Sequence, residues 1–134
     1  MSRSGYSEDY DDQWSLIRWR GAVASAIKGR KGQAFLREML VAFDGMERKC
    51  LIQNELEQEG EVCSIGAVGK ARGVNMREID PEDLETIADR FGIAPALAAE
   101  IMWLNDEWYS RETPEDRFTR MHAWITGQIA DKNT

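Results

Sequence analysis

The segment from Leu84 to Leu104 has the spacing of a helix-turn-helix, and it constrains the fold more than any other part of the chain. Ile87, Ala88, Phe91, Ile93 and Ile101 fall where that motif buries apolar side chains, and Gly92 falls at its turn. Its surface chemistry does not suit a DNA reader. The positions that would face bases are Ala94, Pro95, Ala96, Ala99, Glu100 and Trp103, which supply a carboxylate and apolar groups but no Arg, Lys, Asn or Gln. The spacing therefore reads as the packing geometry of a helical corner.

Around that corner the sequence predicts a mainly α fold, a compact single-domain bundle of about five to seven helices. A first helix starts near Asp12 with Leu16, Trp19, Val23 and Ile27 on one face and stops at Gly29. The short Lys28-Gly29-Arg30-Lys31-Gly32 linker folds a second helix back on it, with Phe35, Leu36, Met39, Leu40 and Phe43 facing the first stripe and Gly45 at the end. Between 49 and 65 the pattern admits a helix or a hairpin. The spacing of Leu51, Leu56 and the glutamates favours a short helix ending at Gly60. Gly66 to Gly73 reads as a short helix packed closely on its glycines. Asp80-Pro81-Glu82-Asp83 is a helix start with proline at the first position, leading to Leu84, Ile87, Ala88 and Phe91 on a buried face. Pro95 opens the next helix, with Leu97, Ile101, Leu104 and Trp108 in a stripe. Thr113-Pro114-Glu115-Asp116 starts the last one, which docks through Phe118, Met121, Ile125 and Ile129.

With 134 residues, 43% of them hydrophobic and 31% charged, the chain suits one packed core. Residues 1–12 read as an acidic flexible tail and 13–134 as a single helical domain. No apolar run approaches the roughly 18 residues of a membrane span, and the polar start is unlike a signal peptide, so the expectation is a cytoplasmic protein without membrane contact. Cys50 and Cys63 fit that compartment as reduced, buried small hydrophobes.

The net charge of −7 is unevenly distributed. From Trp14 to Lys49 eight basic residues face three acidic ones, a balance of +5, whereas from Glu82 to Trp108 seven acidic residues face Arg90 alone, a balance of −6. The acidic half repels phosphates and attracts basic partners. Nucleic acid is admitted only by the basic half, and the separation of charge also permits a head-to-tail homodimer.

Groups able to carry chemistry are few. Gly66-Ala67-Val68-Gly69, followed by Lys70 and Arg72, is the spacing of a phosphate-clamping loop, but it lacks the Walker pattern and the strands of a KH fold, so tight helix packing is the favoured reading. His122 is the only histidine and has no nucleophile elbow near it; one histidine and two cysteines make no zinc site. No catalytic residue, metal or cofactor is implied. Asn105-Asp106-Glu107-Trp108 places carboxylates at a helix C-terminus, against the dipole. Either Asn105 and Asp106 turn inward onto backbone donors around Cys63 to Ala67 or the Thr113 cap, or they form an acidic, tryptophan-flanked patch.

The run Cys63-Ser64-Ile65-Gly66-Ala67-Val68-Gly69-Lys70-Ala71-Arg72-Gly73, then Phe91-Gly92-Ile93-Ala94, Asn105-Asp106-Glu107 and Glu112-Thr113-Pro114-Glu115-Asp116-Arg117-Phe118 with Trp124, resembles a group of small proteins recurrent in bacteriophages and prophages. Ile17 to Val23 and Gln33 to Leu40 share the resemblance, which spans nearly the whole chain. It implies a setting, phage infection of a bacterium with action in the host cytoplasm, and no catalytic residue.

Together these readings predict a non-enzymatic phage-type interaction domain with an acidic face, able to modulate a host nucleic-acid-handling or defence system. Glu100, Trp103, Asp106, Glu107 and Trp108 are the expected contacts with a host or phage protein. The alternative is a nucleic-acid-binding regulator using Arg18, Arg20, Lys28, Arg30, Lys31, Lys70 and Arg72.

Overall fold

The computed structural model describes residues 3–4, 13–108 and 111–129. Within them run α1 (Gln13–Lys28), α2 (Arg30–Asp44), the strands β1 (Glu57–Gln58) and β2 (Glu61–Val62), α3 (Ser64–Arg72), α4 (Leu84–Phe91), α5 (Pro95–Asp106) and α6 (Pro114–Gln128). The expected mainly helical architecture is the one observed. Of the tail expected over 1–12, Arg3 and Ser4 are described, and both are buried against the fold; residues 5–12 lie outside the described residues.

The organising element is α5, which touches α1, α3, α4 and α6. Leu97, Ala98, Ala99, Ile101, Met102 and Leu104 are all buried, as are the polar Glu100, Asn105 and Asp106. A helix enclosed on nearly every side cannot enter a DNA groove, and this removes the reading role of the second helix more firmly than its composition did. The corner itself forms as expected. Gly92 takes φ 73°, a left-handed conformation suited to glycine, and its amide reaches back to the carbonyls of Ala88 and Asp89.

Two boundaries differ from the expectation. The α4 N-cap is Asp83, whose carboxylate accepts from the Thr86 amide, while Asp80 closes its own turn by accepting from the Glu82 amide. Pro81 therefore sits in that turn and not at the helix start. Likewise the five-residue linker between the first two helices shrinks to Gly29 alone, because Arg30 to Gly32 already belong to α2. Gln33 secures this junction, donating from Nε2 to the carbonyls of Ile27 and Gln128 at the ends of α1 and α6. In α1, Val23 is buried and Trp19 and Ile27 are half-buried; the Leu16 side chain lies outside the described set. The helix packs on α5 as well as on α2, so its stripe serves two neighbours.

Between 49 and 65 the favoured helix is replaced by a hairpin. Glu57 pairs with Val62 and Gln58 with Glu61, joined by Glu59 at φ 52° and Gly60 at φ 83°. Two consecutive left-handed residues make the tight turn that matches strand twist, and Gly60 supplies the conformation that other residues resist. The hairpin leads directly into α3, with Cys63 as N-cap. Gly66 and Gly69 are the close-packing positions expected of them: a Cβ at Gly66 would lie 1.9 Å from the Leu56 carbonyl oxygen, and one at Gly69 would lie 2.6 Å from the Met76 sulfur.

The last helix closes the core. Thr113 caps α6 by accepting from the Asp116 amide, and Phe118, Met121, Ile125 and Ile129 are buried. Phe118 stacks on Phe43 of α2 at 5.0 Å between ring centres. Each such fully buried apolar side chain contributes about 1.5–3 kcal/mol. Trp108 is the exception to its predicted stripe, with 54% of its surface exposed, because α5 ends at Asp106 and the chain turns away.

Glycine replacements separate packing from chain entropy. Gly66→Ala is expected to lower the unfolding free energy by about 2–3 kcal/mol through overpacking against Leu56. Gly127→Ala, which meets nothing within 4 Å on α6, should raise it by about 0.5–1 kcal/mol. Urea unfolding followed by circular dichroism reads both; equal effects would contradict this packing.

Candidate functional site

The last turn of α5 brings together most of the buried polar groups of the described residues. Asn105 is placed there, and its amide is fully used. Its Oδ1 accepts from the Ser64 amide at 3.0 Å and the Ser64 hydroxyl at 2.7 Å, and its Nδ2 donates to the Ile52 carbonyl at 2.9 Å and to Asp106 Oδ1 at 2.8 Å. Both residues turn inward, but only Asn105 reaches the donors at the start of α3; Asp106 accepts from Asn54 and Arg3 instead.

Asp106 continues the network. Its Oδ1 also accepts from the Asn54 amide at 3.0 Å, at a residue held at φ 68°. Arg3 then grips the carboxylate with a fork: Nε to Oδ2 at 2.5 Å and Nη2 to Oδ1 at 2.9 Å. Burial works against the Arg3 charge, but the adjacent Cys63 sulfur and Asp106 carboxylate outweigh it and raise the guanidinium above its ordinary value. The third Arg3 nitrogen, Nη1, is buried without an acceptor. Cys63 itself accepts from the Gly66 amide at 3.3 Å, and both cysteines are buried and free, as the sequence predicts.

A second arginine ties the loop before the hairpin to α6. Arg117 donates from Nη1 to the Leu51 carbonyl at 2.9 Å and from Nη2 to Gln53 Oε1 at 3.0 Å, and it pairs with Glu112, which also holds Arg120. Burial pulls the Arg117 guanidinium below its ordinary value, with Glu112 opposing the shift.

Beside this network lies a cleft of about 440 Å³, lined by Arg3, Asn54, Glu55, Asp80, Pro81 and Glu82. Glu55, Asp80 and Glu82 are exposed at its rim. Arg3 is the cation among the lining residues, and Asp106 already neutralises it. Among the described residues no three acidic, histidine or cysteine side chains converge closely enough to hold a metal ion.

The residues predicted as contacts divide accordingly. Glu100 is buried and held by a fork from Arg20 at 2.9 and 3.1 Å, and Asp106 is buried under Arg3, so neither carboxylate is on the surface as expected. The reason is that each has a buried position beside an arginine distant in sequence. Glu107 is exposed and accepts from the Ser4 hydroxyl at 2.9 Å. Trp103, half-buried, meets the exposed Trp108 edge-on at 5.2 Å. The carboxylates that line the cleft are instead Glu55, Asp80 and Glu82.

The predicted basic set contracts in the same way. Arg20 is committed to Glu100; Arg72 forks onto Glu38 at 2.7 and 2.6 Å over the rings of Phe35 and Phe91; and Lys70 donates to the Gly60 carbonyl at 2.9 Å. Arg18, Lys28, Arg30 and Lys31 are exposed, the last three grouped around Gly29. The glycine-rich stretch is helix α3, so its amides bond within the helix and form no phosphate loop. His122 meets Asp44 Oδ1 at 2.9 Å and tilts against Phe43 and Phe118. Sequence reasoning missed Arg3, Asn54, Glu55, Asp80 and Glu82 as site residues. A helix start motif hid Asp80 and Glu82, and nothing local marks the other three.

The chain matches no known family model, curated protein or solved structure.

Asn105→Ala would leave two donors of Ser64 and the Ile52 carbonyl unpaired, and should cost about 2–4 kcal/mol of stability. Glu107→Ala, one turn position further on, should stay within about 0.5 kcal/mol of the parent. Urea titration of the two variants tests this; a neutral Asn105→Ala would contradict the network's role.

Proposed function

We propose that this chain is a non-catalytic, phage-type interaction domain that holds a basic segment of a partner protein in the cleft rimmed by Glu55, Asp80 and Glu82. The observation that carries the reading is the charge imbalance there: three exposed carboxylates face the opening, and Arg3, the cation in the wall, is already matched by Asp106. A surface of that kind attracts Lys- and Arg-bearing chains and repels phosphates. Trp108 and Trp103, at the end of the same helix, supply aromatic area for the rim of such a contact. In the setting of phage infection, the phosphate-binding surfaces of host nucleic-acid-handling or defence proteins are basic partners of the required kind. Modulation follows when such a surface is covered.

The basic corner supports a second, nucleic-acid reading. The first turn of α2 has neither a side-chain cap nor an acidic residue, and Lys28, Arg30 and Lys31 surround it, which favours an anion.

Fluorescence anisotropy distinguishes the two. A labelled peptide with about five arginines and lysines should bind at low salt, weaken as salt rises, and lose about tenfold in affinity with Glu55→Lys combined with Glu82→Lys. Undiminished binding by that double variant would remove the acidic-cleft reading. Binding of a labelled single-stranded oligonucleotide, abolished when Lys28, Arg30 and Lys31 become glutamine, would favour the second.

A further inference from the structure

Resting on the acidic-cleft reading for its partner, we infer that Asp106 anchors a guanidinium-binding site, which Arg3 occupies in cis and an arginine of the partner's basic segment occupies in trans. The site is built without Arg3. Asp106 Oδ1 is held by the Asn54 amide and by Asn105 Nδ2, and Asn105 is in turn fixed by Ser64 and Ile52, so the carboxylate keeps its orientation whichever cation faces it. Both oxygens are presented to one planar fork, with contacts of 2.5 and 2.9 Å from Nε and Nη2. A lysine ammonium cannot reproduce that pairing.

The cis occupant is replaceable. Arg3 and Ser4 lie outside the apolar core, which is assembled from Phe35 to Ile129, so their departure uncovers a polar site without dismantling the interior. Arg3 also fits imperfectly, since Nη1 is buried with no acceptor, a defect that weakens its hold against a guanidinium bringing an acceptor of its own. Access is already in place. Arg3 lines the cleft and covers Asp106, so an arginine entering from the cleft reaches the carboxylate by displacing Arg3. Glu55 and Glu82 then flank the incoming chain. In this scheme the protein carries an internal competitor for its own partner, and the apparent affinity is reduced by the fraction of time Arg3 stays bound.

The test uses the full chain, with and without Arg3→Ala. Ethylguanidine should raise the melting temperature of the Arg3→Ala protein and ethylammonium should not. A labelled Arg-rich peptide should bind Arg3→Ala about tenfold tighter than the parent, while a Lys-rich peptide of equal charge binds both alike. In the parent, a fluorophore on the N-terminal amine should lose anisotropy as the Arg-rich peptide saturates, because Arg3 leaves Asp106. Failure of ethylguanidine to stabilise Arg3→Ala, or equal stabilisation by ethylammonium, overturns the guanidinium site even if both peptides bind, a result that leaves the acidic-cleft reading standing. Stabilisation by ethylguanidine with no binding of either peptide upholds the site and overturns the acidic-cleft reading. If Arg3→Ala does not fold, the anisotropy of the parent decides: no loss at saturating Arg-rich peptide overturns the inference.

Discussion

Asn105 directs every hydrogen-bonding group of its amide to a different part of the chain, and the rest of the structure is arranged around that commitment. Through Ser64 it fixes the start of α3, through Ile52 the loop before the hairpin, and through Asp106 the segment that contains Arg3. Within a low-dielectric interior such a network is favourable only when every member is satisfied. This explains why a carboxylate stands at the C-terminal end of α5, where the helix dipole opposes it. Two amide donors and an arginine fork offset the dipole's local effect.

The same logic governs charge across the fold. Acidic residues that lie near an arginine in space are drawn inward and neutralised: Glu100 by Arg20, Asp106 by Arg3, Glu112 by Arg117 and Arg120. What reaches the surface as uncompensated charge is a smaller set. Glu55, Asp80 and Glu82 line the cleft and Lys28, Arg30 and Lys31 are exposed at the α1–α2 corner, so four of the residues that gave the sequence its polarity, Glu82 and the three basic ones, are among them.

How much was legible in the sequence depended on the range of the interactions that decide each element. The Gly92 corner, the Thr113 cap and the buried stripe of α6 rest on neighbours a few residues away, and all three were readable. The hairpin was not, because helical spacing of Leu51 and Leu56 competes with a turn that is specified by only two residues, Glu59 and Gly60. At Asp80 two local motifs compete, an Asx-type turn and a helix cap, and nothing in the neighbouring residues ranks them. Of the site, the inward turn of Asp106 could be anticipated from the conflict of its carboxylate with the dipole. Arg3 could not, since 103 positions separate it from the carboxylate it holds.

The sequence by itself determined a mainly helical chain with a glycine-turned corner, buried thiols and a separation of charge. Those properties follow from side-chain periodicity, capping and composition, which act over a few residues. Only the tertiary structure decided that α5 is enclosed, that Glu100 and Asp106 are internal and that Glu55, Asp80 and Glu82 are the carboxylates lining the cleft. Burial and ion pairing depend on which distant segments meet, and a carboxylate's place inside or outside is set by whether an arginine arrives beside it.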